Sequence, residues 1–148
     1  MDERYICYCG LYCGNCSIKA KIDPAAETLR NEIKKIGYDE IIINYIPGGK
    51  EFWNFLTGMT ETGSCVSCKS GMGGDPACPI RKCASGRDVS VCALCDDYPC
   101  EKFDGPLFKS CPVAKSDNEL IRTKGMAAWG ELQDGRRRNG FTYQDDRP

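Results

Sequence analysis

Cysteine spacing constrains this chain more than any other feature. Cys13/Cys16, Cys65/Cys68 and Cys92/Cys95 are Cys-x-x-Cys pairs, with Cys9, Cys78, Cys83 and Cys100 between and beside them. Two intervening residues let a tight turn aim both sulfurs at one ion, and small residues ease it, as in Cys13-Gly14-Asn15-Cys16. A zinc ion completes a tetrahedron with four such thiolates. The 148 residues include 12 cysteines and no histidine. Histidine-ligated catalytic zinc is therefore excluded, and the usual imidazole general base is absent. No acid–base pair stands out among the Asp and Glu residues, so the reading leans away from an enzyme.

Other uses of cysteine are weighed against zinc. An even count suits a disulfide framework, but Met1-Asp2-Glu3-Arg4-Tyr5-Ile6-Cys7 does not read as a signal peptide. The chain is expected in the cytoplasm, where cysteines serve metal or redox chemistry. An iron–sulfur cluster also takes four thiolates, and Cys78-Pro79 and Cys111-Pro112 resemble the Cys-Pro ending of ferredoxin runs. The compact Cys-x2-Cys-x2-Cys run is missing, which favours paired zinc knuckles. Thiol-redox catalysis would place a pair in a βαβ pattern, and none surrounds these. Cys7 and Cys111 either stand free or complete a third site; a reading as plain buried small hydrophobes is the lesser one.

The remaining stretches are free of cysteine. With 41% hydrophobic residues, the composition is globular. Pro24 suits a first helical turn after an Asp23 cap, and Ala26, Leu29, Ile33 and Ile36 make one helical face ending at Gly37. Phe52, Phe55, Leu56 and Met59 repeat that period, while 41–46 is open between strand and helix. Ser116 and Glu119 have capping-box spacing before a helix carrying Ile121, Gly125, Ala128, Trp129 and Leu132. Both tryptophans read as core. No apolar run approaches membrane-spanning length.

The net charge is −1, and Arg136-Arg137-Arg138 is the one basic cluster, at a helix end where cations suit the dipole. Each four-thiolate zinc site adds a formal −2, so two sites take the chain to about −5. That argues against nucleic acid as a partner. Lys19, Lys69, Arg81, Lys82 and Lys102 are placed to offset thiolate charge.

The order Cys9-Gly10-Leu11-Tyr12-Cys13-Gly14-Asn15-Cys16, then Cys65-x-x-Cys68, then Cys78-Pro79-Ile80-Arg81-Lys82-Cys83-Ala84, then Cys92-x-x-Cys95-x-x-x-Pro99-Cys100-Glu101, resembles an uncharacterised prokaryotic family, domain of unknown function 3795. The tail, with Asn118, Leu120, Ile121, Gly125, Trp129 and Gly140-Phe141, resembles that family's helical ending. The resemblance implies ten zinc ligands: Cys9, Cys13, Cys16, Cys65, Cys68, Cys78, Cys83, Cys92, Cys95 and Cys100. It leaves out Cys7 and Cys111 and implies no activity. The chain is thus expected to be a small, mainly α-helical single domain over 1–148. Helices are expected within 17–64 and 116–140, with irregular metal-stapled cysteine segments at 7–16 and 65–111. It is expected to bind two or three zinc ions as an interaction module with a protein partner. Cys65/Cys68 are expected to share an ion with Cys92/Cys95, and Cys78, Cys83 and Cys100 to form a neighbouring site.

Overall fold

Glycine and proline set most of the helix boundaries. In the computed structural model, which describes residues 2–70, 73–109 and 111–145, α1 spans Asp23–Lys35 with Pro24 in its first turn, and Gly37 stops it in the left-handed conformation. α2 spans Tyr38–Tyr45, resolving the ambiguous 41–46 segment as helix, and α3 spans Gly49–Thr62. α4 (Pro79–Gly86) again has proline at its start, and α5 covers Pro106–Lys109. α6 runs Val113–Arg138. Among the described residues the chain is mainly helical, its β-structure being one antiparallel bridge, Ile6 to Tyr12. No helix among them is long and apolar enough to cross a membrane.

Two compact units emerge: 18–65, and 1–17 together with 66–148. In the first, α1, α2 and α3 bury Ala26, Ile33, Ile42, Trp53 and Leu56 around one core. Asp23 does not cap α1, because 18–22 is already wound as a π-turn ahead of it. Its carboxylate instead accepts from Lys19 Nζ and from the Ser64 backbone N–H, each at 2.9 Å, tying the unit's two ends together. The apolar faces read from periodicity are only partly used. Ile36 is 74% and Phe55 70% exposed, while Trp53 takes the core position beside Leu56. Three short helices bury a narrower stripe than their apolar residues could cover.

The second unit is organised by α6. This helix starts at Val113, three residues before Ser116, because Pro112 already has helical dihedrals; the Ser116 hydroxyl turns back to the Val113 carbonyl at 3.0 Å. Gly125, at φ 83° and ψ 172°, breaks the run, a conformation open chiefly to glycine. The first half buries Ala114, Asp117, Asn118 and Ile121; the second buries Trp129, Gly130 and Gln133. Trp129 sits edge-on to Tyr12 at 6.2 Å, in a core with Ile6, Val91, Ala93 and Ile121. Ile80, Phe103, Phe108 and Ala114 form a second core.

Three of the seven residues that α6 buries are polar. Asp117 is fully buried and takes Arg136 Nη1 at 2.7 Å and Gln133 Nε2 at 2.9 Å. Burial pushes its carboxyl above the ordinary aspartate range, and Arg136 pulls it part of the way back. Arg136 also lies 5.1 Å from the centre of the Phe141 ring. The arginine run is therefore not a uniformly solvated helix end: its first member is half-buried and pairs with a buried carboxylate. Removing one partner of such a pair strands a charge, so Arg136→Ala should cost about 3–5 kcal/mol in urea unfolding, while Arg137→Ala, at an exposed position, should stay within roughly 0.5 kcal/mol.

Candidate metal centre

Two Cys-x-x-Cys turns in this unit are built alike. Cys13–Asn15 and Cys92–Leu94 are single 3-10 turns in which the second cysteine's N–H donates to the first cysteine's carbonyl, at 3.0 Å for Cys16 and 2.9 Å for Cys95. Cys16 and Cys95 leave with nearly the same dihedrals, −80°/138° and −78°/139°. The third pair differs, since a 3-10 turn begins at Cys68 instead of ending there.

Side chains of α6 and the segment after it hold these turns from behind. Asn118 Nδ2 donates to the Cys9 carbonyl at 2.7 Å, and Arg122 Nη1 to the Ala93 and Cys95 carbonyls at 3.0 and 3.3 Å. Asn15, buried inside the first turn, donates to Gln133 Oε1 at 2.8 Å. The Tyr12 N–H donates to Tyr143 Oη at 2.9 Å, and Gln144 Nε2 donates to Cys16 Sγ at 3.4 Å. The loops themselves are joined by the Cys92 N–H on the Tyr8 carbonyl, 2.7 Å. Gly10, at φ +81°, lies where a Cβ would stand 2.4 Å from Asn118 Nδ2, so the asparagine reaches Cys9 only past a glycine. Sequence reading placed Asn118 in the family-like tail but did not find the holding role of Asn15, Asn118, Arg122, Gln133 or Tyr143. For Asn118, Arg122 and Gln133 the only signal was polar residues within an apolar-periodic helix; Asn15 and Tyr143, in a turn and beyond the helix, gave none.

The thiols fall into two groups. Cys83, Cys92, Cys95 and Cys100 line one cavity of about 60 Å³, walled by Ile80, Ala84 and Phe103. They come from α4, the second turn and the residue before the 3-10 turn Glu101–Asp104. Burial pushes the Cys92 thiol up to about 12, and the nearby Cys9, Cys100, Cys95 and Cys83 add to the shift by disfavouring another negative charge. In the other group, Cys7 Sγ lies 3.1 Å from Cys13 Sγ. That contact, the neighbouring thiols of Cys68 and Cys9, and burial hold Cys7 well above the ordinary thiol range. Cys68 goes the other way, to about 6. The Cys7 hydrogen bond is the largest cause; burial opposes it, and the Tyr8 N–H and the charges of Lys69 and Arg81 assist.

Of the ten expected ligands, the cavity gathers four, and Cys13 meets Cys7. Cys92 and Cys95 thus share their surroundings with Cys83 and Cys100; Cys68 is not among the cavity's lining residues, contrary to the expected pairing. Cys16 faces Gln144, Cys78 stands ahead of α4 beside the Ile80/Phe103 core, and Cys65 closes the other unit. Cys111 is buried, and none of the twelve cysteines forms a disulfide. Among the described residues, no three ligating side chains stand in coordination geometry. The donor chemistry fits a soft divalent ion, whereas sulfurs 3.1 Å apart are closer than the roughly 3.8 Å edge of a zinc–thiolate tetrahedron.

Residues 5–105 match the family described as a protein of unknown function, DUF3795. The match spans eleven of the twelve cysteines and ends before α6, whose tail also carries the resemblance seen in sequence. No curated protein and no solved structure matches the chain. In metal-free, reduced protein, Cys68 should be the cysteine alkylated fastest by iodoacetamide at neutral pH, its rate rising with a midpoint near 6. Cys7 and Cys92 should resist until unfolded. Peptide mass spectrometry across a pH series reads this, and equal rates at Cys68 and Cys92 would contradict the opposed shifts.

Proposed function

The chain belongs to the DUF3795 family, and we propose that its clustered cysteines bind structural zinc, making it a metal-stapled interaction module with no catalytic task. The observation that carries this reading is the shared cavity of Cys83, Cys92, Cys95 and Cys100. Burial, with Cys83, Cys95 and Cys100 close by, opposes ionisation of Cys92. A divalent cation among them removes that conflict, as it does wherever a coordinating thiol is deprotonated outright. Zinc suits the set because four thiolates and no imidazole form a closed structural site. The remaining motif cysteines of the same unit, Cys9, Cys13, Cys16, Cys68 and Cys78, supply the second ion. Cys65 stands as a candidate on spacing alone. Lys69 and Arg81, whose charges act on Cys68, offset the negative charge that thiolates leave. A reducing compartment such as the cytoplasm keeps these thiols available.

Elemental analysis of anaerobically purified protein tests the reading. Two zinc per chain without iron or acid-labile sulfide is the expected result. Brown protein carrying iron and sulfide would replace zinc by an iron–sulfur cluster, and metal-free folded protein would remove metal binding altogether.

Chelation should act unevenly along the chain. The unit of residues 18–65 has its own three-helix core and, apart from Cys65, no cysteine. The 73–109 region relies on short turns around the cysteines. Structural zinc contributes roughly 10–16 kcal/mol per site to folding in small domains. Hydrogen exchange after chelation should show protection lost across 73–109 and kept in α1 and α3. Protection retained in both would make the metal incidental to the fold.

A further inference from the structure

Cys7 lies outside the ten-cysteine pattern, so the ligand set gives it no role. Its sulfur lies 3.1 Å from Cys13 Sγ. That is about 1 Å beyond the roughly 2.0 Å of a disulfide bond, and shorter than the roughly 3.8 Å edge of a zinc–thiolate tetrahedron. The contact suits two sulfurs about to join better than two ligands spread around an ion. The main chain holds both residues in place. Ile6 and Tyr12 pair in an antiparallel bridge, and the Cys7 N–H donates to the Leu11 carbonyl at 2.8 Å. The Gly10 N–H returns to the Cys7 carbonyl at 3.1 Å, closing the loop between the two cysteines. On the other side, the Tyr12 N–H donates to Tyr143 Oη at 2.9 Å and the Cys16 N–H to the Cys13 carbonyl at 3.0 Å. Ile6 and Tyr12 are buried in the core with Trp129, whereas both cysteines are only partly buried and open to a small solute. The second sulfur of the turn, on Cys16, accepts from Gln144 Nε2 at 3.4 Å.

We infer that Cys7 and Cys13 are a redox modification site: hydrogen peroxide joins them in a disulfide, and the bond withdraws Cys13 from the metal-binding set. The first thiol to meet peroxide breaks its O–O bond, keeps one oxygen as a sulfenic acid and releases the other as water. The second thiol attacks that sulfur, forms the S–S bond and expels the remaining oxygen as a second water. Two thiols thus give up two hydrogens and two electrons, and one peroxide becomes two waters. The loop is already closed in the reduced chain, so little ordering entropy opposes the bond. Exchange with a dithiol reductant reverses it. The disulfide itself needs no metal; its effect on zinc rests on the metal-binding reading above, in which Cys13 helps to hold the second ion. Thiolates are the ligands of zinc, and a sulfur tied into a disulfide is no longer one, so that ion loses a donor. The site of Cys83, Cys92, Cys95 and Cys100 contains neither partner and keeps its ion.

Stoichiometric peroxide added to the full chain, purified reduced and without oxygen, tests this. Chymotryptic cleavage after Tyr8 and Tyr12 separates Cys7, Cys9 and Cys13, so a Cys7–Cys13 link joins two otherwise separate peptides. That link is expected as the predominant disulfide, together with release of one of two zinc ions and its recovery on adding dithiothreitol with zinc. Cys7→Ser is expected to keep both ions at the same dose. A predominant link within Cys13/Cys16 or Cys92/Cys95, or sulfinic acid with no link, would overturn the inference and leave metal binding standing. The Cys7–Cys13 link with both zinc ions retained would overturn the withdrawal of Cys13. Protein that never holds zinc yet forms the link would support the modification site and overturn the metal-binding reading.

Discussion

The second unit depends on a buried polar chain running from Arg136 through Asp117 and Gln133 to Asn15. Its links are charge-assisted at one end and amide-to-amide at the other. All but Arg136 are fully buried, so an unmade bond would cost the full desolvation of its group. That cost makes the chain a registration device. A non-polar helix could slide or rotate against Tyr12 and Val91 with little loss, but Gln133 meets both Asp117 and Asn15 in only one position of α6. Because Asn15 lies within the Cys13 turn, the same register places the first pair of sulfurs.

Arg122 and Asn118 extend this logic to the other cysteine loops. Both donate to backbone carbonyls beside cysteines, so the turns are aimed from their main chain, leaving the sulfurs to face away. Carbonyls in 3-10 turns this short have few intrachain donors, and side chains from a neighbouring helix satisfy them. The break at Gly125 separates the half of α6 that carries Asn118 and Arg122 from the half that carries Gln133 and Arg136. One continuous straight helix would have to present all four toward their partners along a single stripe.

Much of this architecture was legible in the chain before its coordinates. Helix existence followed from three- and four-residue spacing, and the Gly37 stop from local chemistry. What failed was phase: Phe55 and Trp53 differ by two positions, and periodicity alone did not tell which would be inside a core this small. The Ser116 cap failed because Pro112 offered an earlier start with helical dihedrals already set. Cysteine grouping was the least legible. Spacing brings Cys92 and Cys95 together but says nothing of Cys83 and Cys100, which reach the same cavity from α4 and from beyond Pro99.

The two halves of the argument, polar clamp and thiol clusters, bear on each other through electrostatics. The clamp brings the sulfurs close while they carry protons, and closeness then opposes their ionisation, as Cys92 shows. Left to itself, such an arrangement would be a liability, since every thiolate formed repels the next. Lys69 and Arg81 relieve this near Cys68, and Arg87 stands against Cys83 and Cys95. The Cys83/Cys92/Cys95/Cys100 cavity has Ile80, Ala84 and Phe103 in its wall beside the charged Arg87, Asp97 and Lys102. The α6 bonds to the Ala93 and Cys95 carbonyls fix the Cys92–Cys95 turn from its main chain. A divalent cation among the thiols would relieve the repulsion that remains, which is how the clamp fits the proposed metal binding.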